Sequence, residues 1–267
     1  MITYRFNYHR PRSLADAQAL LRKSPEAKLL AGGQTLVATM KMRLASPSDL
    51  IDISGLKELN YIRVDESAVT IGAAVTHAEV AESREVQRAL PALAELAEMI
   101  GDPAVRHKGT IGGSIANNDP AADYPAAAVA LNATIKTTER SMKADDFFTG
   151  MFSTALKDGE IVTEISFPRV ERAAYMKFRN PASRYAMAGV FVAKGKDGVR
   201  VAVTGAGPGV FRQGEMETAL SKNFSPNAIE GIEVDPSGLN SDIHGSAEYR
   251  AHLVGVMAKR AVAAAMK

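Results

Sequence analysis

Two glycine pairs are the residues of this chain best suited to chemistry. Thr110-Ile111-Gly112-Gly113-Ser114 lies within the stretch IGDPAVRHKGTIGGSIANNDPAADYP, residues 100–125. A Gly-Gly between hydroxyl residues lets several backbone N–H groups converge on an anion, because no Cβ atoms block the approach. Asp119 and Asp123 follow four residues apart around Pro120, and a carboxylate there can accept a hydrogen bond from a ligand hydroxyl. A lone Gly-Gly is more often a tight turn, but a second pair upstream shifts that balance. Lys28-Leu29-Leu30 runs into Ala31-Gly32-Gly33-Gln34-Thr35-Leu36, an apolar strand-like run that opens through glycines into a helix-like segment. That arrangement presents free amides to a phosphate. Two such loops can grip one diphosphate from opposite sides, which points to a nucleotide.

The elements that must position these loops follow from pattern. Ser13 can cap a helix over residues 14–22 with Leu14, Ala17, Leu20 and Leu21 on one face. Pro25 ends it, residues 28–31 read as a buried strand, residues 34–42 as a short helix, and residues 49–53 as a returning strand. From Tyr61 the pattern is hairpin-like, with residues 61–64 and 69–72 around the polar turn Asp65-Glu66-Ser67. Thr76 and Glu79 have capping-box spacing. Pro91 opens a helix that Gly101 stops. Residues 123–131 read as a helix, 133–137 as a strand, 144–148 as a helical turn, and 160–167 as a strand ended by Pro168. Beyond it, residues 173–179, 186–193 and 199–204 read as three antiparallel strands, with helices near 215–220 and from 248 to 267. In the last helix Tyr249, Leu253, Val256, Met257 and Arg260 are expected on one packing face.

Composition bounds the function. With 267 residues and a net charge of only +2, Lys and Arg dispersed, nucleic acid is not the expected partner. The chain has no cysteine, so it has no disulfide, no thiol nucleophile and no thiolate-held iron-sulfur cluster of its own. No run of about 18 apolar residues occurs, so no transmembrane segment is expected, and a cytoplasmic protein is the expectation. The five histidines are scattered without metal-site spacing. Gly205-Ala206-Gly207-Pro208-Gly209 lacks the third glycine of a dinucleotide fingerprint, and Pro208 removes a donor. A turn is expected there.

The pair AGGQTL and TIGGSIANNDPAADYP, with GDPAVRHKG leading into the second, closely resembles the FAD-binding subunit of molybdenum hydroxylases, within that family the medium, flavoprotein subunit of the carbon monoxide dehydrogenase type. The resemblance runs from FNYHRPRSLADAQALL to AEYRAHLVGVMAKRAV. It implies an α+β fold. A two-lobed FAD-binding domain of the vanillyl-alcohol oxidase/PCMH type would span residues 1–168, with lobes of about 1–53 and 54–168. A small domain with a three-stranded antiparallel sheet and helices would follow over 169–267. It implies FAD as cofactor, held at its diphosphate by Ala31 to Leu36 (Ala31, Gly32, Gly33, Gln34, Thr35, Leu36) and by Thr110 to Ser114.

By the same resemblance Asp123 would meet a ribityl or ribose hydroxyl, although a helix N-cap is its simpler role. Ile100 would lie beside the flavin, Ile161 or Val162 would touch the ring or ribityl chain, and Tyr185 would stack on the isoalloxazine. Where some xanthine dehydrogenase-like relatives have a lysine, Met187 stands here. The implied partners are an iron-sulfur subunit and a molybdenum cofactor subunit of a hetero-oligomer. The implied role is to carry electrons from iron-sulfur clusters through FAD to an external acceptor. A free-standing FAD oxidoreductase and a non-catalytic assembly subunit are the two other readings. The oxidised substrate would be chosen by the molybdenum subunit.

Overall fold

A computed structural model of the chain describes residues 2–267. The chain begins with a small α/β lobe. Ser13 caps the helix Leu14–Lys23 by accepting from the Asp16 N–H, with Asp16 in its first turn and Arg22 and Lys23 in its last, as the helix dipole favours. Strands Asn7–His9 and Lys28–Leu30 flank Asp49–Asp52 in a parallel sheet. Ala17, Ala27, Ile51, Ile53, Leu56 and Leu59 form its core.

The second lobe is a five-stranded antiparallel sheet in the order Ile62–Val64, Ala68–Gly72, Val162–Pro168, Thr134–Thr137, Ser141–Lys143. The helix His77–Glu82 starts in a complete capping box: the Thr76 hydroxyl accepts from the Glu79 N–H, and the Glu79 carboxylate accepts from the Thr76 N–H. Pro91–Glu98 follows, and Gly101 turns the chain at φ +49°. Next come Pro103–Arg106, Ile111–Asn117 and Tyr124–Ala130, the last buried along its whole length.

Beyond Pro168, strands Arg172–Arg179, Ala186–Gly195 and Gly198–Thr204 run antiparallel. A fourth strand, Phe211–Arg212, extends this sheet from three strands to four; two residues carry no alternation to read. The helices Gly214–Lys222 and Ala247–Ala265 cover the sheet around a core that includes Val190, Val201, Met216, Leu253, Val254, Met257 and Val262. The last helix is rotated from the expected face. Leu253 and Met257 are buried, Val256 is half-buried, Tyr249 and Arg260 are exposed, and Arg250 is buried instead, donating to the carbonyls of Met187 and Gly205 and to Asp242.

Three boundaries on the cleft wall differ as well. The expected buried strand at 28–31 ends at Leu30 and is half-exposed, because one side is a cleft wall. The helix expected from 34 starts at Leu36, leaving Gly32 to Thr35 as an open turn. The strand expected from 160 starts at Val162, since Glu160 is drawn to Arg140. Among the described residues no helix is long and apolar enough to cross a membrane.

Candidate functional site

A cleft of about 1000 Å³ runs between the first lobe, the second lobe and the start of the C-terminal sheet. That volume lies at the upper end for ligand sites and suits a dinucleotide better than a small metabolite. Of the residues singled out above, Ala31, Gly32, Gly33, Gln34, Thr35, Leu36, Ile100, Thr110, Gly112, Gly113, Ser114, Asp123, Ile161, Val162 and Tyr185 all line it. Ile111 does not. It is fully buried in the core of the second lobe.

The two glycine stretches touch. A Cβ on Gly32 would stand 2.1 Å from the carbonyl oxygen of Lys108 and 2.7 Å from the Gly109 Cα. One on Gly113 would stand 4.0 Å from the Ala31 Cβ. Gly33 sits at φ +70°, the left-handed region in which glycine is at ease. Among the described residues no protein acceptor takes the N–H of Gly32, Gly33, Gln34 or Thr35. Consecutive unengaged amides at the entry to Leu36–Lys41 form an anion-binding nest.

The second stretch is not a nest. Thr110 is an N-cap, and the glycine pair forms the first turn of Ile111–Asn117. Ile111 N–H donates to the Val75 carbonyl, Gly112 N–H to Ala73, Gly113 N–H to the Thr110 hydroxyl and Ser114 N–H to the Thr110 carbonyl. Its glycines serve close approach instead: a Cβ on Gly112 would stand 2.4 Å from the Ala73 Cβ. Ser114 completes this side of the cleft.

Asp123 precedes Tyr124–Ala130 but makes no cap hydrogen bond. Its buried carboxylate accepts from the Tyr175 hydroxyl at 2.5 Å and pairs with Lys177 Nζ at 2.9 Å. Lys177, itself fully buried, also donates to the Met99 carbonyl at 3.1 Å. Burial raises the Asp123 carboxyl, while Lys177 and Tyr175 pull it back down. Lys177 thus sets a buried cation behind the cleft wall through Asp123, while Arg22, Lys28 and Lys157 line the cleft itself; Met187 is buried in the C-terminal core. Sequence spacing could not find Lys177, because its partner lies 54 residues away.

Tyr185 follows Arg184, which turns the chain at φ +62°, and its ring is half-exposed at the cleft. Partial burial, Asp119 and Asp123 together raise its hydroxyl. At another part of the wall stands Glu160. Burial alone would raise its carboxyl, but Arg140, Thr137 and the Lys157 amide hold it down at about 2.

His77 is a wall residue that the sequence did not single out. It is 5% exposed, its ring lies 5.4 Å from that of Tyr124, and among the described residues neither His77 Nδ1 nor the Tyr124 hydroxyl has a partner. Burial, with Arg106 nearby, lowers the imidazole from 6.5 to about 4. Between those values the unfolded chain binds more protons than the folded one. Stability is therefore full above about pH 6.5 and falls as the pH drops toward 4, by about 3 kcal/mol at most. Urea titrations across this range are expected to show the loss in the parent chain and a much flatter profile in His77→Gln.

Residues 4–170 match the family described as the FAD binding domain in molybdopterin dehydrogenase. The chain is 38% identical to the carbon monoxide dehydrogenase medium chain of Hydrogenophaga pseudoflava, covering 99% of this chain and 98% of that one. It is 35% identical to the glyceraldehyde dehydrogenase medium chain of Sulfolobus acidocaldarius, covering 96% of each. Its fold matches a chain in the solved carbon monoxide dehydrogenase from Hydrogenophaga pseudoflava which lacks the Mo-pyranopterin moiety of the molybdenum cofactor. The TM-score is 0.90, with 38% identity and coverage of 100% and 99%. Cleft, glycine contacts and whole-chain likeness agree, and the chain belongs to the FAD-binding family of the molybdopterin dehydrogenases.

Proposed function

We propose that this chain is the flavoprotein subunit of a molybdenum hydroxylase complex, passing electrons from an iron-sulfur subunit to an external acceptor through FAD bound in the cleft. The observation that carries the reading is the row of unengaged amides at Gly32 to Thr35, closed on one side by Lys108–Gly109. A diphosphate satisfies those donors, and without an anion they face only solvent. When bound, FAD supplies the redox chemistry, accepting and releasing electrons singly or in pairs. The protein's task is to hold, orient and shield it.

Ala31 to Leu36 hold the diphosphate in this reading, and Thr110, Gly112, Gly113 and Ser114 form the opposite wall. Asp123 retains lone pairs beyond those used by Tyr175 and Lys177 and accepts from a ligand hydroxyl. Ile100, Ile161 and Val162 pack against apolar parts of the ligand, and Tyr185 covers its ring. Buried Lys177 puts a fixed positive charge close to that ring's wall. A partner polypeptide must bring the electrons, because this chain has no cysteine to hold a cluster. The relatives named above are medium chains of dehydrogenases, which supports a subunit role. We further read residues 1–168 as a two-lobed domain of the vanillyl-alcohol oxidase/PCMH type and 169–267 as a separate C-terminal domain; the end of the family match at residue 170 supports that division.

The test is the visible spectrum of the purified chain after loading with FAD and removal of free ligand. Bound flavin is expected in the parent and none in a Gln34→Asp, Thr35→Asp variant, whose carboxylates stand at exposed positions of the amide nest and repel a diphosphate. A parent chain that retains no flavin, alone or in its complex, overturns the reading.

A further inference from the structure

Two tight loops each carry an exposed aromatic ring to the cleft. The first is the tip of a hairpin in which Phe148–Gly150 pairs with Ser153–Thr154 around Met151 and Phe152. Phe152 sits at φ +51°, in the left-handed region, and its side chain is 58% exposed on the cleft wall. Glycine or asparagine normally fills such a turn position, because a bulky residue there is strained. Asn118 holds the strained tip in place, itself buried at φ +43° where the helix Ile111–Asn117 ends. Its side-chain amide donates to the carbonyls of Gly150 and Ser153 at 2.8 and 2.7 Å, and its backbone carbonyl accepts the Phe152 N–H at 3.1 Å. The second loop repeats the construction. Buried Asn180 accepts from the Ala182 and Ser183 N–H groups, Arg184 turns at φ +62°, and Tyr185 follows, half-exposed in the same cleft. Asp119 places the two rings at one end: it adjoins Asn118, lines the cleft and is close enough to raise the Tyr185 hydroxyl.

We infer that Phe152 packs on the planar ring system of the bound cofactor and, together with Tyr185, screens that ring from solvent; the inference rests on the functional reading above. A glycine would form the hairpin turn without strain, so what phenylalanine adds is its side chain, and more than half of that side chain has no cover in the chain. Backbone strain that surrounding hydrogen bonds over-determine is characteristic of ligand clamps. A planar ring lying against Phe152 and Tyr185 gives both an offset or edge contact and covers apolar surface that otherwise faces water. Asn118 is then a positioning residue. The helix whose first turn holds Gly112 and Gly113 ends at the residue that aims Phe152, so one element sets both a diphosphate wall and the cover of the ring.

The experiment loads the full chain with FAD and measures quenching of the bound flavin's fluorescence by iodide in the parent, Phe152→Gly, Phe152→Tyr and Met151→Gly. Phe152→Gly removes the ring while relieving the backbone, so its hairpin is expected to form as in the parent. Iodide quenching is expected to rise severalfold in this variant, and FAD to bind about 2- to 10-fold more weakly, the contribution of one aromatic contact. Phe152→Tyr keeps a ring, and Met151 is an exposed neighbour off the cleft wall; both of those variants are expected to match the parent. A second readout needs no variant: nuclear Overhauser contacts between the Phe152 ring protons and the flavin ring protons are expected in the loaded parent. Bound flavin with parent-like quenching in Phe152→Gly, or without those contacts, overturns the inference and leaves the functional reading standing. A parent chain that holds no flavin overturns both.

Discussion

Replacing Gly32 by alanine is expected to weaken FAD binding by about 100-fold or more, a larger loss than any other single methyl in the cleft. The added Cβ would sit 2.1 Å from the Lys108 oxygen and 2.7 Å from the Gly109 Cα. Both are backbone atoms, so no side chain can swing aside and the two glycine stretches must part. Overpacking of this kind costs roughly 1–3 kcal/mol, and the separation also moves the free amides away from the anion. Gly33→Ala should cost less. Its Cβ would meet only the Val37 and Leu30 side chains, at 3.0 and 3.3 Å, with about 1–2 kcal/mol from the left-handed backbone. Gly255→Ala, with open space around it in the last helix, should leave binding unchanged and stabilise the chain by about 0.5–1 kcal/mol. Quenching of flavin fluorescence on titration ranks the three; equal affinities for Gly32→Ala and the parent would contradict the geometry.

The second large effect is on stability. Lys177→Met leaves the Asp123 carboxylate buried without its cation, and Asp123→Ala strands the fully buried Lys177 ammonium. Removing one partner of a buried pair costs about 3–5 kcal/mol, a large share of a domain's net stability. The combination Asp123→Asn with Lys177→Met removes both charges and keeps an acceptor for the Tyr175 hydroxyl. It should unfold at a denaturant concentration well above that of either charge-stranding single variant. The pair also joins three elements, because Asp123 precedes Tyr124–Ala130, Lys177 lies on Arg172–Arg179 and Met99 ends Pro91–Glu98. Its loss should therefore loosen the seam between the C-terminal sheet and the cleft. If the double variant is no more stable than the single ones, the charges are not coupled as the geometry implies.

Local signals were legible in the sequence where they act over a few residues. The Ser13 cap, the Thr76–Glu79 box, the Pro91 start and the Gly101 stop all occur as their chemistry requires. So do the three long strands after Pro168, whose alternation and apolar content set them apart. What failed depends on partners distant in sequence. Thr110 to Ser114 has the composition of a nest, but Val75 and Ala73 on a neighbouring segment take the Ile111 and Gly112 amides, and Thr110 takes those of Gly113 and Ser114. Asp123 has the position of a cap, but Tyr175 and Lys177 reach it from a strand about fifty residues on. His77 lies inside a recognisable capping box, yet nothing in that box says its ring is buried against Tyr124 at the cleft. The C-terminal helix presents a different face than its spacing implied, because Arg250 turns inward to bond two carbonyls.

Amide resonances recorded with and without FAD test the central claim most directly, because they separate the two glycine stretches residue by residue. Marked downfield shifts of the Gly32, Gly33, Gln34 and Thr35 N–H protons are expected as they gain an anionic acceptor. Much smaller shifts are predicted at Ile111, Gly112 and Gly113, whose N–H groups already donate within the protein. The opposite pattern, with residues 111–113 shifting and 32–35 unmoved, would place the diphosphate on the helix start and contradict the assignment of the nest.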